Sequence, residues 1–210
     1  MRMKRKPHLD SRIEKCAFLM VKQPAELRGR WLGESGCHEL RLVLGCGKGR
    51  FTVEAAKAEP DVLFAAFEKT QNVIVTAMER AAAEGLKNVV FASLYVNDLT
   101  EYFARCELSR IYLNFPDPWP SNKYARRRLT AANYLEQYSL VLRPGGEVHF
   151  KTDNLPFYEY SLGQFELSGF EIIEDIRDLH KNGPVGIFTD YEEKFHNQGF
   201  PVYRCVISKD

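Results

Sequence analysis

The strongest constraint on the fold is a regular alternation of short apolar segments with segments rich in helix-forming residues. From residue 39 onward an apolar segment recurs about every 20–25 residues, as buried strands separated by helices do. This alternation favours right-handed β-α-β units, and therefore a mostly parallel α/β sheet covered on both faces. The predicted strands are 39–44, 62–67, 88–93, 110–115, 147–151, 170–176 and 201–208, and the predicted helices are 51–57, 70–84, 99–105, 130–142 and 157–167.

Composition limits the class of protein. Of 210 residues, 45% are apolar and 12% aromatic, which is too many for a disordered chain. No run of about 18 apolar residues is present, so a membrane-spanning helix is excluded. The five cysteines are scattered without a Cys-x-x-Cys pair, which disfavours a disulfide framework or a zinc site and predicts a reducing cytoplasm. The five histidines are also dispersed, and none is predicted to bind a metal.

A glycine-rich loop follows the first predicted strand. Its glycines would let backbone N–H groups approach a ligand. A dinucleotide-binding loop is disfavoured because Arg50 replaces its third glycine, and the spacing of a phosphate-binding P-loop is absent. The remaining pattern, Gly45-x-Gly47-x-Gly49, resembles the first motif of class I S-adenosylmethionine-dependent methyltransferases. An ordinary strand-to-helix turn is the alternative.

Two later positions agree with this resemblance. Class I methyltransferases carry an acidic residue after the second strand, whose carboxylate accepts both ribose hydroxyls of the cofactor. Glu68, followed by Lys69, stands there about twenty residues after the loop. Asn97 and Asp98 follow the third strand, where such enzymes hold the adenine ring. Capping of the next helix is the alternative for both residues.

A proline-rich loop follows the fourth predicted strand. Pro116, Pro118 and Pro120 fix the backbone of an extended segment. The loop would hold Asp117 and Trp119 at the edge of the sheet where parallel sheets bind ligands. Rigid placement suits methyl transfer, because in-line displacement at a sulfonium methyl depends on alignment more than on acid–base catalysis.

Three spaced motifs make the resemblance specific. They are NFPDPWPSNKYARRRL at 114–129, FKTDN at 150–154 and TDYEEKF at 189–195. Together they resemble the bacterial tRNA (guanine-N7)-methyltransferase family, from about residue 39 to the end of the chain. The resemblance implies a Rossmann-like class I methyltransferase fold, with a mostly parallel seven-stranded sheet, helices on both faces and an antiparallel last strand. It places the methyltransferase domain at 37–210, after a basic N-terminal extension at 1–36.

The resemblance also implies an activity, namely methyl transfer from S-adenosylmethionine to N7 of guanosine 46 in the variable loop of tRNA. Asp117 matches the family's catalytic position. Trp119 is interpreted either as stacking on the base or as filling an apolar space. The cofactor-binding positions carried over from the family are Val43, Gly45, Gly47, Gly49, Glu68, Lys69, Asn97, Asp98 and Asp117.

Guanine could be recognised through the N–H donors of its Watson–Crick edge, which a carboxylate accepts when the base is unstacked. Asp153, Thr189 and Glu192 match family positions implicated in substrate recognition. As alternatives, Asp153 caps the following helix, while Thr189 and Glu192 form a capping box. The residues expected to contact substrate are Ser121, Lys123, Arg126, Arg127, Arg128, Asp153, Thr189, Asp190, Tyr191 and Glu192.

A cationic cluster, Lys123 with Arg126–Arg128, directly follows the acidic loop. The chain has 29 Lys and Arg against 28 Asp and Glu, so any nucleic-acid binding must use a local patch. The cluster therefore predicts contact with tRNA phosphates, each of which adds to the salt dependence of binding. A solvated helix start is the alternative.

Two positions depart from the family pattern, and the motifs also leave two rival functions to consider. The family usually has Glu at Val43, contacting the methionine end of the cofactor, and Lys at Ser121, for which Lys123 is the nearest substitute. One rival is a non-catalytic RNA-binding or scaffold subunit, which retention of Glu68, Asp117 and Asp153 disfavours. The other is a methyltransferase acting on a non-RNA substrate, which leaves the arginines without a role. We expect tRNA as partner, no membrane, no metal, and a monomer or homodimer.

Overall fold

The computed structural model describes residues 6–33 and 35–209. It contains a seven-stranded sheet and six α-helices in these residues. The strands are β1 (Glu39–Leu44), β2 (Val62–Phe67), β3 (Val89–Ala92), β4 (Leu108–Asn114), β5 (Leu142–Thr152), β6 (Glu171–Ile176) and β7 (Tyr203–Lys209). The helices are α1 (Leu9–Lys15), α2 (Arg50–Ala58), α3 (Gln71–Ala83), α4 (Ala132–Val141), α5 (Leu155–Leu167) and α6 (Asp190–His196). Short 3-10 helices occupy Ala17–Leu19, Pro24–Leu27, Leu99–Glu101 and Asn122–Arg127.

The strand order is β3-β2-β1-β4-β5-β7-β6. Strands β1 to β5 pair in parallel, and β7 runs antiparallel to both of its neighbours, β5 and β6. The order reverses between β1 and β4, which creates the crevice at which such sheets bind ligands. The expected class I methyltransferase fold, with an antiparallel last strand, is confirmed.

Helices cover both faces of the sheet. Leu42 of β1 belongs to the core on the face of α4 and α5, whereas its neighbour Val43 belongs to the core on the face of α2 and α3. Every residue of β2 is buried. A strand covered on both faces reads as a continuous apolar run, which explains why the parallel strands were recognisable from sequence.

The described part of the N-terminal segment packs on the sheet and its helices. Arg12 of α1 forms an ion pair with Glu79 of α3 at 2.6 Å, and the Val21 N–H donates to the carbonyl of Phe91 in β3 at 2.8 Å. Trp31 is buried on the opposite face, with its ring 5.2 Å from that of Phe103. Residues 1–5 of the predicted extension lie outside the described residues. No helix in the described part is long and apolar enough to cross a membrane.

One predicted helix differs from the element observed, and two short elements were indicated only as alternatives. The helix predicted at 99–105 is a single 3-10 turn, because Cys106 adopts a positive φ of 59° and the chain reverses to enter β4 at Leu108. Helix α6 corresponds to the capping box at Thr189 and Glu192, and the 3-10 turn at Asn122–Arg127 to the helix start at the cationic cluster. Both are shorter than eight residues, too short for a clear helical period.

The glycine loop offers a test of close packing. Gly49 has φ +83°, and a Cβ there would lie 2.4 Å from Cβ of Ala77 in α3. Gly49→Ala is expected to lower the free energy of unfolding by about 3 kcal/mol, since it combines the left-handed strain with overpacking. Gly47→Ala is the control, because Gly47 has φ +58° and open space around its Cβ position, so only about 1 kcal/mol is expected. Equal losses in urea unfolding would contradict the packing argument.

Candidate active site

A cavity of about 530 Å³ opens at the carboxyl ends of β1, β2 and β4. Its size is typical of a small-molecule site, and its place is where open parallel sheets bind ligands. The cavity is lined by ten of the residues predicted from sequence, namely Val43, Gly45, Gly47, Glu68, Lys69, Asp117, Arg127, Thr189, Asp190 and Tyr191.

The glycine loop forms one wall of this cavity. Gly45 and Gly47 have φ +83° and +58°, and no heavy atom lies within 4 Å of the position of a Cβ at either residue. The Glu68 carboxylate accepts hydrogen bonds from the Gly47 N–H at 3.3 Å and from the Thr70 N–H at 3.0 Å. Burial raises the pKa of the Cys46 thiol, which keeps it protonated within the loop. The glycine loop therefore presents uncovered backbone to the cavity next to the Glu68 carboxylate.

The proline-rich loop presents Asp117 on the opposite side. Phe115 and Trp119 have φ values of +53° and +42°, a conformation that L residues rarely adopt, so the loop is strained on both sides of the acid. The Asp117 Oδ2 atom accepts a hydrogen bond from Lys69 Nζ at 2.9 Å, and 61% of the Asp117 side chain is exposed. This hydrogen bond raises the pKa of Lys69. Asp117 is thus accessible to a ligand and fixed by a cation.

Arg128 braces the strained loop. Its Nε donates to the Pro118 carbonyl at 3.0 Å and its Nη2 to the Trp119 carbonyl at 2.9 Å. The guanidinium lies 4.1 Å from the ring centroid of Tyr160, and only 6% of the residue is exposed. Its donors therefore face protein carbonyls. The structure places Arg128 as a support of the loop, not on the surface where the predicted phosphate contact would occur.

The other cations of the cluster are exposed. The Arg127 guanidinium lies over the rings of Trp119 and Tyr124, at 5.1 Å and 4.8 Å, and Lys123 Nζ lies 5.8 Å from the Tyr124 ring. Arg126 is exposed on the same 3-10 turn. Together Lys123, Arg126 and Arg127 form a surface where aromatic rings and positive charges alternate, beside the cavity.

Helix α6 forms the remaining wall. Asp190 makes a two-point ion pair with Arg80 of α3, at 2.7 and 2.8 Å, which lowers the pKa of Asp190. The Tyr191 ring lies 5.0 Å from that of Phe115, and its hydroxyl donates to Asp153 Oδ2 at 3.1 Å. Burial raises the pKa of Tyr191 to about 12. Asp153 lies behind Tyr191 and does not line the cavity.

Glu192 is placed inside the protein and not in the cavity. Its carboxylate accepts hydrogen bonds from Lys151 Nζ at 2.7 and 2.9 Å and from the Thr189 N–H at 3.1 Å, and lies 3.0 Å from His180 Nε2. The Thr189 hydroxyl accepts from the Glu192 N–H, which completes a capping box. Glu192 is fully buried. Its predicted contact with substrate does not fit this placement, because its acceptors are already used.

Lys151 and His180 were missed by the sequence analysis. Lys151 is one of the rare lysines that are almost fully buried, and burial lowers its pKa despite the neighbouring Glu192. The sequence feature that could have indicated Lys151 was its position as a lysine within the apolar strand pattern of β5. Tyr95 and Tyr134 line the cavity without any motif that would have indicated them.

The remaining predicted residues lie around the cavity. Asp98 accepts a hydrogen bond from the Thr100 N–H at 2.8 Å and caps a 3-10 turn. Asn97 lines a second cavity beside the first. Gly49 caps α2, and Ser121 is exposed immediately before the 3-10 turn that carries Lys123.

The buried triad Lys151–Glu192–His180 generates a stability prediction. Lys151→Met leaves the Glu192 carboxylate buried without its cation, so we expect a loss of about 3–5 kcal/mol in the free energy of unfolding. Lys181→Met, at an exposed lysine, is the control and should change it by less than about 0.5 kcal/mol. Denaturant unfolding measures both. A loss below about 1 kcal/mol for Lys151→Met would show that the triad does not secure α6.

Solved structures with a similar fold include methyltransferases. The 16S rRNA methyltransferase KamB matches with a TM-score of 0.61 and 17% identity, over 83% of this chain and 90% of that chain. TrmN from Thermus thermophilus matches with a TM-score of 0.58 and 18% identity, over 96% of this chain and 48% of that one. At these identities the similarity concerns the fold alone.

Sequence comparisons are more specific. A family model described as a putative methyltransferase matches residues 39–205. The chain is 39% identical over 209 residues to a tRNA (guanine-N(7)-)-methyltransferase of Bacillus velezensis, covering 99% of this chain and 96% of the relative. It is 41% identical over 207 residues to the protein of the same name from Halalkalibacterium halodurans, covering 98% of this chain and 94% of the relative. The chain therefore belongs to the bacterial tRNA (guanine-N7)-methyltransferase family.

Proposed function

We propose that this protein transfers the methyl group of S-adenosylmethionine to N7 of guanosine in tRNA, at position 46 of the variable loop. The observation that carries the proposal is the placement of Asp117 in the same cavity as the glycine loop and Glu68. The full-length similarity to relatives named for this reaction supports the choice of substrate. We also propose a cytoplasmic enzyme that acts as a monomer or homodimer.

The cavity walls fit the cofactor. The open backbone at Gly45 and Gly47 leaves room for a ligand to approach the loop. Each oxygen of the Glu68 carboxylate accepts one backbone N–H, and Glu68 lines the cavity, so each oxygen keeps a lone pair for a hydroxyl donor there. Val43 lines the cavity where the family usually has Glu, so this chain lacks that carboxylate at the methionine end. When bound, S-adenosylmethionine supplies an electrophilic methyl group on a positively charged sulfur.

Asp117 has an electrostatic and positioning role in this proposal. N7 of guanine carries a lone pair and no proton at neutral pH, so its attack needs no general base. As the bond between N7 and the methyl carbon forms and the sulfur–methyl bond breaks, positive charge would pass from the sulfur to the purine, and a neutral thioether would leave. A carboxylate that is already oriented, as Asp117 is on its strained loop between Phe115 and Trp119, stabilises such a charge with little reorganisation.

RNA binding is assigned to the exposed cations beside the cavity. Lys123, Arg126 and Arg127 would contact phosphates, and the exposed ring of Tyr124 and the half-buried ring of Trp119 would contact bases. A scaffold protein would need neither Glu68 nor Asp117 in a common cavity, and a methyltransferase for small molecules would need no cationic surface. Incubation with labelled cofactor and unmodified tRNA, followed by nucleoside analysis, separates the three functions.

Asp117→Asn tests the catalytic assignment. Removal of the charge is expected to lower kcat for tRNA methylation by about 100-fold or more. The dissociation constant for S-adenosylmethionine, measured by titration calorimetry, should change by less than about threefold. Asp61→Asn, at an exposed acid remote from the cavity lining, is the control and should leave both values unchanged. A loss of cofactor binding without loss of kcat would mean that the role of Asp117 is wrongly assigned.

Glu68→Gln tests the cofactor site. The amide keeps the shape of the side chain but has only one acceptor oxygen, so cofactor affinity is expected to fall about 10- to 100-fold. The kcat at saturating cofactor should change little, because Glu68 is assigned to binding only. Glu84→Gln, at an exposed acid after α3, provides the matched control. Equal affinities for the Glu68 variant and the unaltered protein would remove Glu68 from the cofactor site.

A further inference from the structure

A second cavity, of about 600 Å³, lies beside the first, and its lining includes Arg126 and Arg127, two of the cations assigned above to phosphate contact. The two cavities lie side by side, because five residues line both, namely Lys69, Tyr95, Trp119, Arg127 and Tyr134. Asn97, Arg126 and Asn133 line the second cavity alone. A polymer strand that reaches the first cavity would therefore pass the lining of the second.

The second cavity is cationic. Its lining contains Lys69, Arg126 and Arg127 and no carboxylate. Asp117, which lines only the first cavity, neutralises Lys69. Arg127 lies over two aromatic rings, and Arg126 is exposed and makes no ion pair within residues 6–33 and 35–209. Two positive charges therefore remain for an anionic ligand.

The neutral part of the lining suits a sugar-phosphate chain. Asn97 and Asn133 carry amide groups that can donate and accept hydrogen bonds. Tyr95, which is 53% exposed, presents an aromatic wall. Cations combined with amides and aromatic rings are the groups by which proteins contact phosphates, sugars and unstacked bases.

We propose that the second cavity is a subsite for a phosphodiester that flanks the target guanosine, with Arg126 as its cation. This inference rests on the proposed function, since it requires an RNA strand whose target base enters the first cavity. Contacts to a phosphate carry no sequence information but set the register of the strand. Arg126 would thereby position the correct nucleotide at Asp117.

The experiment uses tRNA in which one phosphodiester, either 5′ or 3′ of the target guanosine, is replaced by an uncharged methylphosphonate. For the unaltered enzyme, kcat/KM is expected to fall about tenfold at one of the two linkages. Arg126→Ala is expected to lower kcat/KM about tenfold on unmodified tRNA. On the methylphosphonate tRNA, kcat/KM of the Arg126 variant should fall by less than about a further twofold, because the contact between Arg126 and the phosphate is already absent.

Lys123→Ala is the matched control. Lys123 is an exposed cation on the same 3-10 turn but lines neither cavity, so its variant should retain the tenfold sensitivity to the methylphosphonate. The subsite is contradicted if the Arg126 variant keeps the full sensitivity, or if the unaltered enzyme is insensitive at both linkages. If the unaltered enzyme does not methylate unmodified tRNA, the proposed function fails, and the subsite fails with it.

Discussion

The site depends on the strained loop that carries Asp117. Two residues with left-handed backbone, Phe115 and Trp119, flank the acid, and each such conformation costs about 1–3 kcal/mol. Surrounding contacts must offset this cost, and Arg128 supplies several of them by donating to two loop carbonyls while stacking on Tyr160. A buried arginine bonded to backbone carbonyls restricts the loop without needing a carboxylate partner. The Asp117 carboxylate can therefore remain exposed and yet be held in one position.

A second buried charge secures the neighbouring wall of the cavity, which α6 forms. Lys151 Nζ, at the end of β5, lies 2.7 Å from Glu192 Oε2 in α6. This ion pair ties a seven-residue helix to the sheet. A helix this short has little stability of its own, so its position is set by tertiary contacts. The ion pair between Arg80 and Asp190 adds a second attachment, to α3. Both walls of the cavity are thus short segments held by arginine or lysine.

Sequence was sufficient for the fold and for the glycine loop, because both rest on local signals. Parallel strands appear as apolar runs, and Gly45-x-Gly47 with Glu68 has a fixed spacing set by one β-α-β unit. These local sequence signals do not show whether a given side chain points into the protein or towards solvent. Arg127 and Arg128 are adjacent in a run of arginines, yet one faces solvent and the other is buried. The burial of Glu192 depends on Lys151 and His180, whose proximity arises only from tertiary structure.

The path of the N-terminal segment has a consequence for self-association. An open sheet exposes two unpaired edges, each able to pair with a strand of another molecule. Here one edge, β3, is shielded by the segment around Met20 and Val21, which pairs with Phe91. The other edge, β6, reads Glu-Ile-Ile-Glu-Asp-Ile and carries three acids in six residues, of which Glu174 pairs with Arg204 and Asp175 with Arg177. Charged side chains along an edge lose their hydration when another strand pairs there, so this protein protects one border of its sheet by covering it and the other by charge.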